Sequence, residues 1–166
     1  QLVEDLLELT RRRIRPLVNL DVNSLVLQVI DLHGEEMKKR QIAFEDHLDR
    51  TIPSVDGDSE TLYRAFSNLV INAIQAMPNG GSLSIFSELD QSSSMVKLTF
   101  RDTGIGMDKT ATKNLFNPFF TTKDKGVGLG MALTRKIIED HRGTIEVVSE
   151  KGIGTTFVLW LPVVKV

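Results

Sequence analysis

Four polar side chains, Arg64, Asn68, Asn72 and Gln75, recur at steps of four, four and three, so they share one face of any helix that carries them. Leu69, Val70, Ile71, Ala73 and Ile74 surround the two asparagines. Amides among so many apolar neighbours read either as a solvated face or as the wall of a lined cavity. In the second case an Asn side-chain oxygen is a neutral hard ligand. It suits one position on an octahedral magnesium ion that keeps waters and phosphate oxygens. Asp102 closes the run VKLTFRD, in which Val96, Leu98 and Phe100 alternate onto one face and Asp102 joins them by parity. A carboxylate at the end of a core-facing row needs a partner, because unpaired burial is costly. Gly104 and Gly106 follow it and remove side chains where a flat ligand could approach the backbone. A nucleobase with an exocyclic amine would supply the missing donor. The alternative is an Asp that merely caps a turn before glycine.

Gly126, Gly128 and Gly130 lead into a helix in KGVGLGMAL, where exposed backbone N–H groups and the helix dipole favour an anion. The triplet lacks the Gly-Lys-Ser/Thr ending of a P-loop and does not follow a strand directly, so the two commonest nucleotide folds are disfavoured. Before it lies NPFFTTKDK. Phe119 and Phe120 read either as core residues under a loop or as part of a functional lid. In such a lid Thr121, Thr122, Lys123 and Lys125 would offer hydroxyl and ammonium groups to phosphate.

These residues need elements to hold them. Leu2, Val3, Leu6, Leu7 and Leu9 give an opening helix a short apolar stripe, and Pro16 disfavours helix at Arg15. Leu20 to Val22 reads as a short extended piece, and Asn23 or Ser24 caps a helix bearing Leu25, Val29 and Leu32. Gln41 to Leu48 and Ser54 to Asp56 read as strands. Asp58 or Ser59 caps a long helix with Leu62, Phe66, Leu69, Ala73 and Met77 on its apolar face, ending near Pro78-Asn79-Gly80-Gly81. Ser82 to Leu89 and Met95 to Asp102 form a hairpin. Residues 103 to 126 read as irregular, a helix runs from about Leu129 to Asp140, and strands Gly143 to Val148 and Thr155 to Leu161 close the chain. The expectation is an α/β two-layer sandwich, an α+β arrangement with a mixed sheet of about five strands backed by about three helices.

The 166 residues are 41% hydrophobic and 25% charged, an ordinary globular composition. Lys plus Arg is 20 against 22 Asp plus Glu, a net charge of −2 that argues against a nucleic-acid partner. With no cysteine there is neither a disulfide framework nor thiolate chemistry. No apolar run approaches the roughly 20 residues that span a bilayer, and no signal peptide opens the chain. A cytoplasmic domain is expected.

NLVINAIQAM (Asn68 to Met77), DTGIGM (Asp102 to Met107), NPFFTTK (Asn117 to Lys123) and GVGLGMAL (Gly126 to Leu133), in that order, resemble the N, G1, F and G2 boxes of sensor histidine kinases. The closing GIGTTFVLWLP is similar to the last strand of their ATP-binding domain. That domain has the Bergerat-type fold of the GHKL superfamily, shared with DNA gyrase, mismatch-repair ATPases and the related heat-shock chaperones. The resemblance implies ATP (or ADP) and Mg2+ as ligands. It implies Asn72 as the protein ligand of the metal, Asn68 and Gln75 near the phosphates, and Asp102 as acceptor from the adenine amine. It places Gly104, Ile105, Gly106 and Met107 around the base pocket, with Thr155 beside the base. Thr121, Thr122 and Lys123 would contact phosphate, and Gly126, Val127, Gly128, Leu129, Gly130 and Met131 would form the lid hinge. The basic residue that the family often has three places after its metal-binding Asn is Gln75 here.

Hydrolysing relatives place a Glu four residues before the metal-binding Asn. Asn68 stands there, and an amide cannot take a proton at neutral pH. The resemblance therefore implies transfer of the γ-phosphoryl group to a histidine of a dimerisation domain, in a homodimer, for relay to a response-regulator receiver domain. His33, His47 and His141 stand in no phosphoacceptor pattern and read as structural or surface histidines. Residues 1–16 read as the stump of the dimerisation helix and 17–166 as the catalytic domain, a piece of a longer receptor kinase. The alternatives are a nucleotide-binding module without transfer activity and a protein-serine kinase of the same fold.

Overall fold

The computed structural model describes residues 2–10, 16–120 and 129–164. Its elements in chain order are α1 (Leu2–Thr10), β1 (Val18–Leu20), α2 (Val22–Lys39), β2 (Ile42–Leu48), β3 (Val55–Gly57), α3 (Ser59–Ala76), β4 (Gly81–Asp90), β5 (Met95–Asp102), α4 (Lys109–Asn114), α5 (Gly130–Asp140), β6 (Thr144–Glu150) and β7 (Gly154–Pro162). Five strands form one sheet in the order β2-β4-β5-β7-β6. The β2–β4 pair is parallel and the rest are antiparallel, so the sheet is mixed as expected. β1 and β3 form a separate two-stranded sheet. No helix among the described residues is long and apolar enough to cross a membrane.

The sheet buries one face. Along β5, Val96, Leu98, Phe100 and Asp102 are buried, and along β7 Thr155, Phe157, Leu159 and Leu161 match them residue for residue. α3 lies on that face because Leu62, Ala65, Phe66, Leu69, Val70, Ala73 and Ile74 recur at helical spacing. Phe66 meets Phe100 with ring centroids 6.0 Å apart, and burying such a side chain contributes about 2 kcal/mol. α2 packs beside α3, α5 on the other flank of α3, and α1 against α5, so three helices back the sheet and α1 extends their layer.

Three expectations are corrected. The extended piece is Val18–Leu20, and α2 is capped by Asp21, whose carboxylate accepts from Asn23 N at 3.0 Å and Ser24 N at 3.3 Å. Leu20 is the last residue paired to β3, so the chain turns at Asp21 and the cap falls there. Asn23 instead sits buried in the first turn and donates to the Asp49 carbonyl at 2.8 Å. The stretch after β5 is not wholly irregular, since Asp108 accepts from Ala111 N at 2.8 Å and starts α4.

α3 and α5 are tied by a buried histidine. His141 donates from Nδ1 to the Ile137 carbonyl at 2.7 Å and accepts from Asp58 N at Nε2, 3.0 Å away. Those partners fix the neutral tautomer that carries its proton on Nδ1. The other histidines also have structural surroundings: His33 meets the Ser67 hydroxyl at 2.8 Å, and His47 stacks on Phe86.

Candidate functional site

Asp102 lies at the end of β5 and is 4% exposed. Its Oδ1 accepts from Gly104 N at 2.8 Å and Thr155 N at 3.2 Å. Its Oδ2 takes no hydrogen bond from the described residues. Burial raises the carboxyl above the usual carboxylate range, while the two backbone donors pull it back down. Thr155 is the cross-strand partner of Asp102, and Ser149 on β6 is the partner of Thr155. Asp102, Thr155 and Ser149 therefore form one polar row across three strands on the helix-covered face.

Ser149 was not singled out by sequence reasoning. Its Oγ lies 2.8 Å from Met107 N, 3.2 Å from the Gly154 carbonyl and 2.7 Å from Thr155 Oγ1. The signal was available, because Ser149 is a polar residue ending the inward row of Ile145 and Val147, as Asp102 ends its own row.

The loop after Asp102 is stitched to both neighbours. Ile105 N donates to the Ala76 carbonyl at the end of α3 at 2.9 Å, and Gly152 N in the β6–β7 turn donates to the Ile105 carbonyl at 2.7 Å. Gly104 and Gly106 have a packing reason to be glycine. A Cβ on Gly104 would lie 2.5 Å from the Ala76 carbonyl, and one on Gly106 (φ +68) would enter the Glu150 carbonyl. They let the loop nest between α3 and β6. Ile105 is left exposed and Met107 half-buried beside it.

The polar stripe of α3 divides along its length. Arg64 forms an ion pair with Asp5 of α1. Asn68 donates from Nδ2 to the Gly130 carbonyl and to Thr134 Oγ1, each at 3.3 Å, and the buried Thr134 donates to the same carbonyl at 2.8 Å. Thr134, likewise unforeseen, thus joins Asn68 to the first turn of α5. Asn72 is half-buried one turn further on, and Gln75 is exposed. A Cβ on Gly130 would meet nothing within 4 Å among the described residues, whereas Leu129 and Met131 are buried and anchor the start of α5. Phe119 is 61% exposed with φ +67, which removes it from the core; Phe116 meets Phe157 edge-on instead. Thr121, Thr122, Lys123, Gly126, Val127 and Gly128 lie outside the described residues.

The described residues hold no cluster of three His, Cys, Asp or Glu side chains able to cage a metal. A neutral amide beside bound phosphates is a donor set that magnesium accepts, since it retains waters and substrate oxygens. Asn72 fits that role by type, and Asn68 shares its helix face.

A family model described as histidine kinase-, DNA gyrase B-, and HSP90-like ATPase matches residues 57–165. The chain belongs to that family. Among curated members it is 36% identical over 163 residues to the sensor histidine kinase ZraS of Escherichia coli (strain K12), covering 98% of this chain and 35% of that protein. The chain thus spans about a third of the length of such relatives. It matches the nucleotide-free catalytic domain of histidine kinase ThkA with a TM-score of 0.78 and 30% identity, covering 89% of this chain and 96% of that one. ThkA has also been solved in complex with the response regulator protein TrrA, a match with a TM-score of 0.81 and 27% identity over 98% of this chain and 46% of the other. Full-length ShkA in complex with AMPPNP matches with a TM-score of 0.86 and 25% identity over 99% of this chain and 36% of the other. The mixed five-stranded sheet backed by helices is the fold of these histidine kinase catalytic domains.

Proposed function

We propose that this chain is the ATP- and magnesium-binding catalytic domain of a sensor histidine kinase, and that Asp102 reads the adenine. The observation that carries the reading is the Asp102 carboxylate, buried with Oδ1 saturated by two backbone donors and Oδ2 without a donor among the described residues. The 6-amino group of adenine is a donor with no charge of its own, and it satisfies that oxygen without a second buried ion. The loop from Gly104 to Met107 borders the base, and Thr155 lies in the same row as Asp102.

Toward the phosphates, Asn72 offers a neutral oxygen to the metal, and Asn68 stands one turn closer to α5. Magnesium supplies neutralisation of phosphate charge. The chain's own contribution is positioning, because neither amide can accept a proton from water at neutral pH. The γ-phosphoryl group is therefore kept for a better nucleophile. An imidazole nitrogen of a histidine on the dimerisation domain forms the new P–N bond as the β–γ P–O bond breaks, ADP leaves, and the imidazole releases its proton to solvent. An aspartate of a response-regulator receiver then takes the phosphoryl group. The ThkA–TrrA and ShkA–AMPPNP complexes support a regulator partner and a nucleotide ligand for a cytoplasmic domain of this kind.

Calorimetric titration with ATP and magnesium tests the site. The chain is expected to bind, and Asp102→Asn to weaken binding by at least tenfold, since it turns an acceptor toward the amine into a donor. Unchanged affinity in Asp102→Asn would refute the reading. Adding a dimerisation domain with its histidine should yield acid-labile phosphohistidine, while the chain alone turns over almost no ATP.

A further inference from the structure

We propose that Thr134 is a positioning residue that holds Asn68 by its amide nitrogen, so that Asn68 Oδ1 accepts from a water on the magnesium ion. The inference rests on the reading of Asn72 as the protein ligand of the metal. It gives the oxygen of Asn68 a partner other than phosphate.

The polarity follows from groups that have only one sense. The Gly130 carbonyl accepts and cannot donate, so the Asn68 atom 3.3 Å from it is the amide nitrogen. Thr134 Oγ1 lies 2.8 Å from that carbonyl and 3.3 Å from the amide, and its single hydrogen goes to the shorter contact. What the amide meets on Thr134 is therefore a lone pair. The two acceptors stand 2.8 Å apart and share one amide hydrogen. Turning the amide over would set Oδ1 against the Gly130 carbonyl, acceptor on acceptor. Asn68 is fastened by nitrogen, and Oδ1 is the end left over, with no hydrogen bond to the described residues. Among those residues the unpartnered side-chain acceptor that is fully buried is Asn23 Oδ1, so Asn68 Oδ1 keeps contact with solvent.

Thr134 is 0% exposed, on a helix whose Leu133, Ile137 and Ile138 are also buried. Valine would fill the same volume there. The hydroxyl hydrogen stays within α5, on the Gly130 carbonyl. What the hydroxyl offers beyond its own helix is an acceptor, and Asn68 takes it. Asn68 and Asn72 are four residues apart on α3, which puts their Cβ atoms about 5–6 Å apart. A magnesium ion on Asn72 keeps several waters, and an acceptor one turn away is placed for one of them. Phosphate oxygens only accept, so they cannot pair with Oδ1.

The experiment measures dissociation constants for ADP, with magnesium and with a chelator, on the 166-residue chain. Thr134→Val, Thr134→Ser, Asn68→Ala, Asn72→Ala and the Thr134→Val/Asn68→Ala double variant are compared with the wild type. Magnesium should tighten ADP binding to the wild type. Thr134→Val should cut that gain roughly three- to tenfold, the worth of one neutral hydrogen bond, and Thr134→Ser should keep it. Metal-free affinity should stay at the wild-type level in both. The double variant should lose no more than Asn68→Ala alone, because both changes remove one interaction. An unchanged gain in Thr134→Val overturns the proposal. An equal loss with and without the metal, the mark of a folding defect or of a direct phosphate contact, also overturns it, as does a double variant worse than Asn68→Ala. If magnesium gives the wild type no gain, or Asn72→Ala keeps it, the reading of the metal site falls and this inference with it. A gain lost in Asn72→Ala yet intact in Thr134→Val removes only the role of Thr134. Should Thr134→Val not fold, Thr134→Cys, with a weak acceptor in the same place, is judged by the same gain.

Discussion

A carboxylate kept among apolar side chains has a cost of its own. Burial raises the folded-state pKa of Asp102 above its ordinary value of 3.8. A folded pKa above the unfolded one means the native state binds the proton more tightly, so this group favours folding at low pH, and that contribution is lost as pH rises through the folded value. At pH 7 the ionised Asp102 is therefore a burden on the nucleotide-free chain. Asp102→Asn keeps an oxygen for Gly104 N and Thr155 N while removing the charge, and it should melt above the wild type at pH 7, the gap narrowing as pH falls toward the carboxylate range. Thermal melts across pH 4 to 8 check this; a variant that melts lower at pH 7 would contradict it. Asn72 calls for a different readout. Asn72→Ala should abolish the gain in nucleotide affinity that magnesium supplies, seen by titrating ADP with the metal and with a chelator. At this scale Asp102 was legible from parity alone, as were the amides from their spacing. Ser149 carried the same parity signal, as the polar end of the Ile145 and Val147 row, whereas Thr134 is an ordinary hydroxyl until its cross-helix neighbour is known.

Elements built on a long apolar stripe, such as α3, or on strict alternation, such as β5, carry their identity in the chain itself. The elements that sequence reasoning placed poorly lack such a pattern. α4 is six residues, KTATKN, with only Ala111 buried, so no stripe announces it. Asp21, Asn23 and Ser24 are all competent caps, and the pairing of Leu20 with Val55, a contact distant in sequence, decides among them. Glycines show the same division. Gly106 and Gly130 look alike in their motifs, yet one has φ +68 against the Glu150 carbonyl and the other opens a helix with nothing among the described residues within 4 Å of an added Cβ. Gly106→Ala should lower stability by about 2 kcal/mol or more and weaken nucleotide binding with it. Gly130→Ala should raise stability by about 0.5–1 kcal/mol. Chemical denaturation of the two variants separates them, and equal effects would contradict the assignment.

Across the whole molecule, the helix layer is continued by α1, whose residues the sequence assigns to a separate stump. Leu9 packs on the core and Asp5 pairs with Arg64, while Leu2, Val3 and Leu7 remain exposed. An ion pair this near the surface is worth about 1 kcal/mol or less. Arg64→Ala should therefore speed amide exchange across residues 2–10 and leave exchange in β5 and β7 unchanged; faster exchange spread through the sheet would show α1 to be part of the core instead. Beyond α1, α3 and α5 run side by side with a rung at each end of α5: Asn68 to Gly130 at one, His141 to Asp58 at the other. Parts riveted twice cannot slip lengthwise past each other. Any mechanical message passing through α3 and α5 must travel as a tilt of the pair, in the manner of a lever, and never as a piston stroke of one along the other.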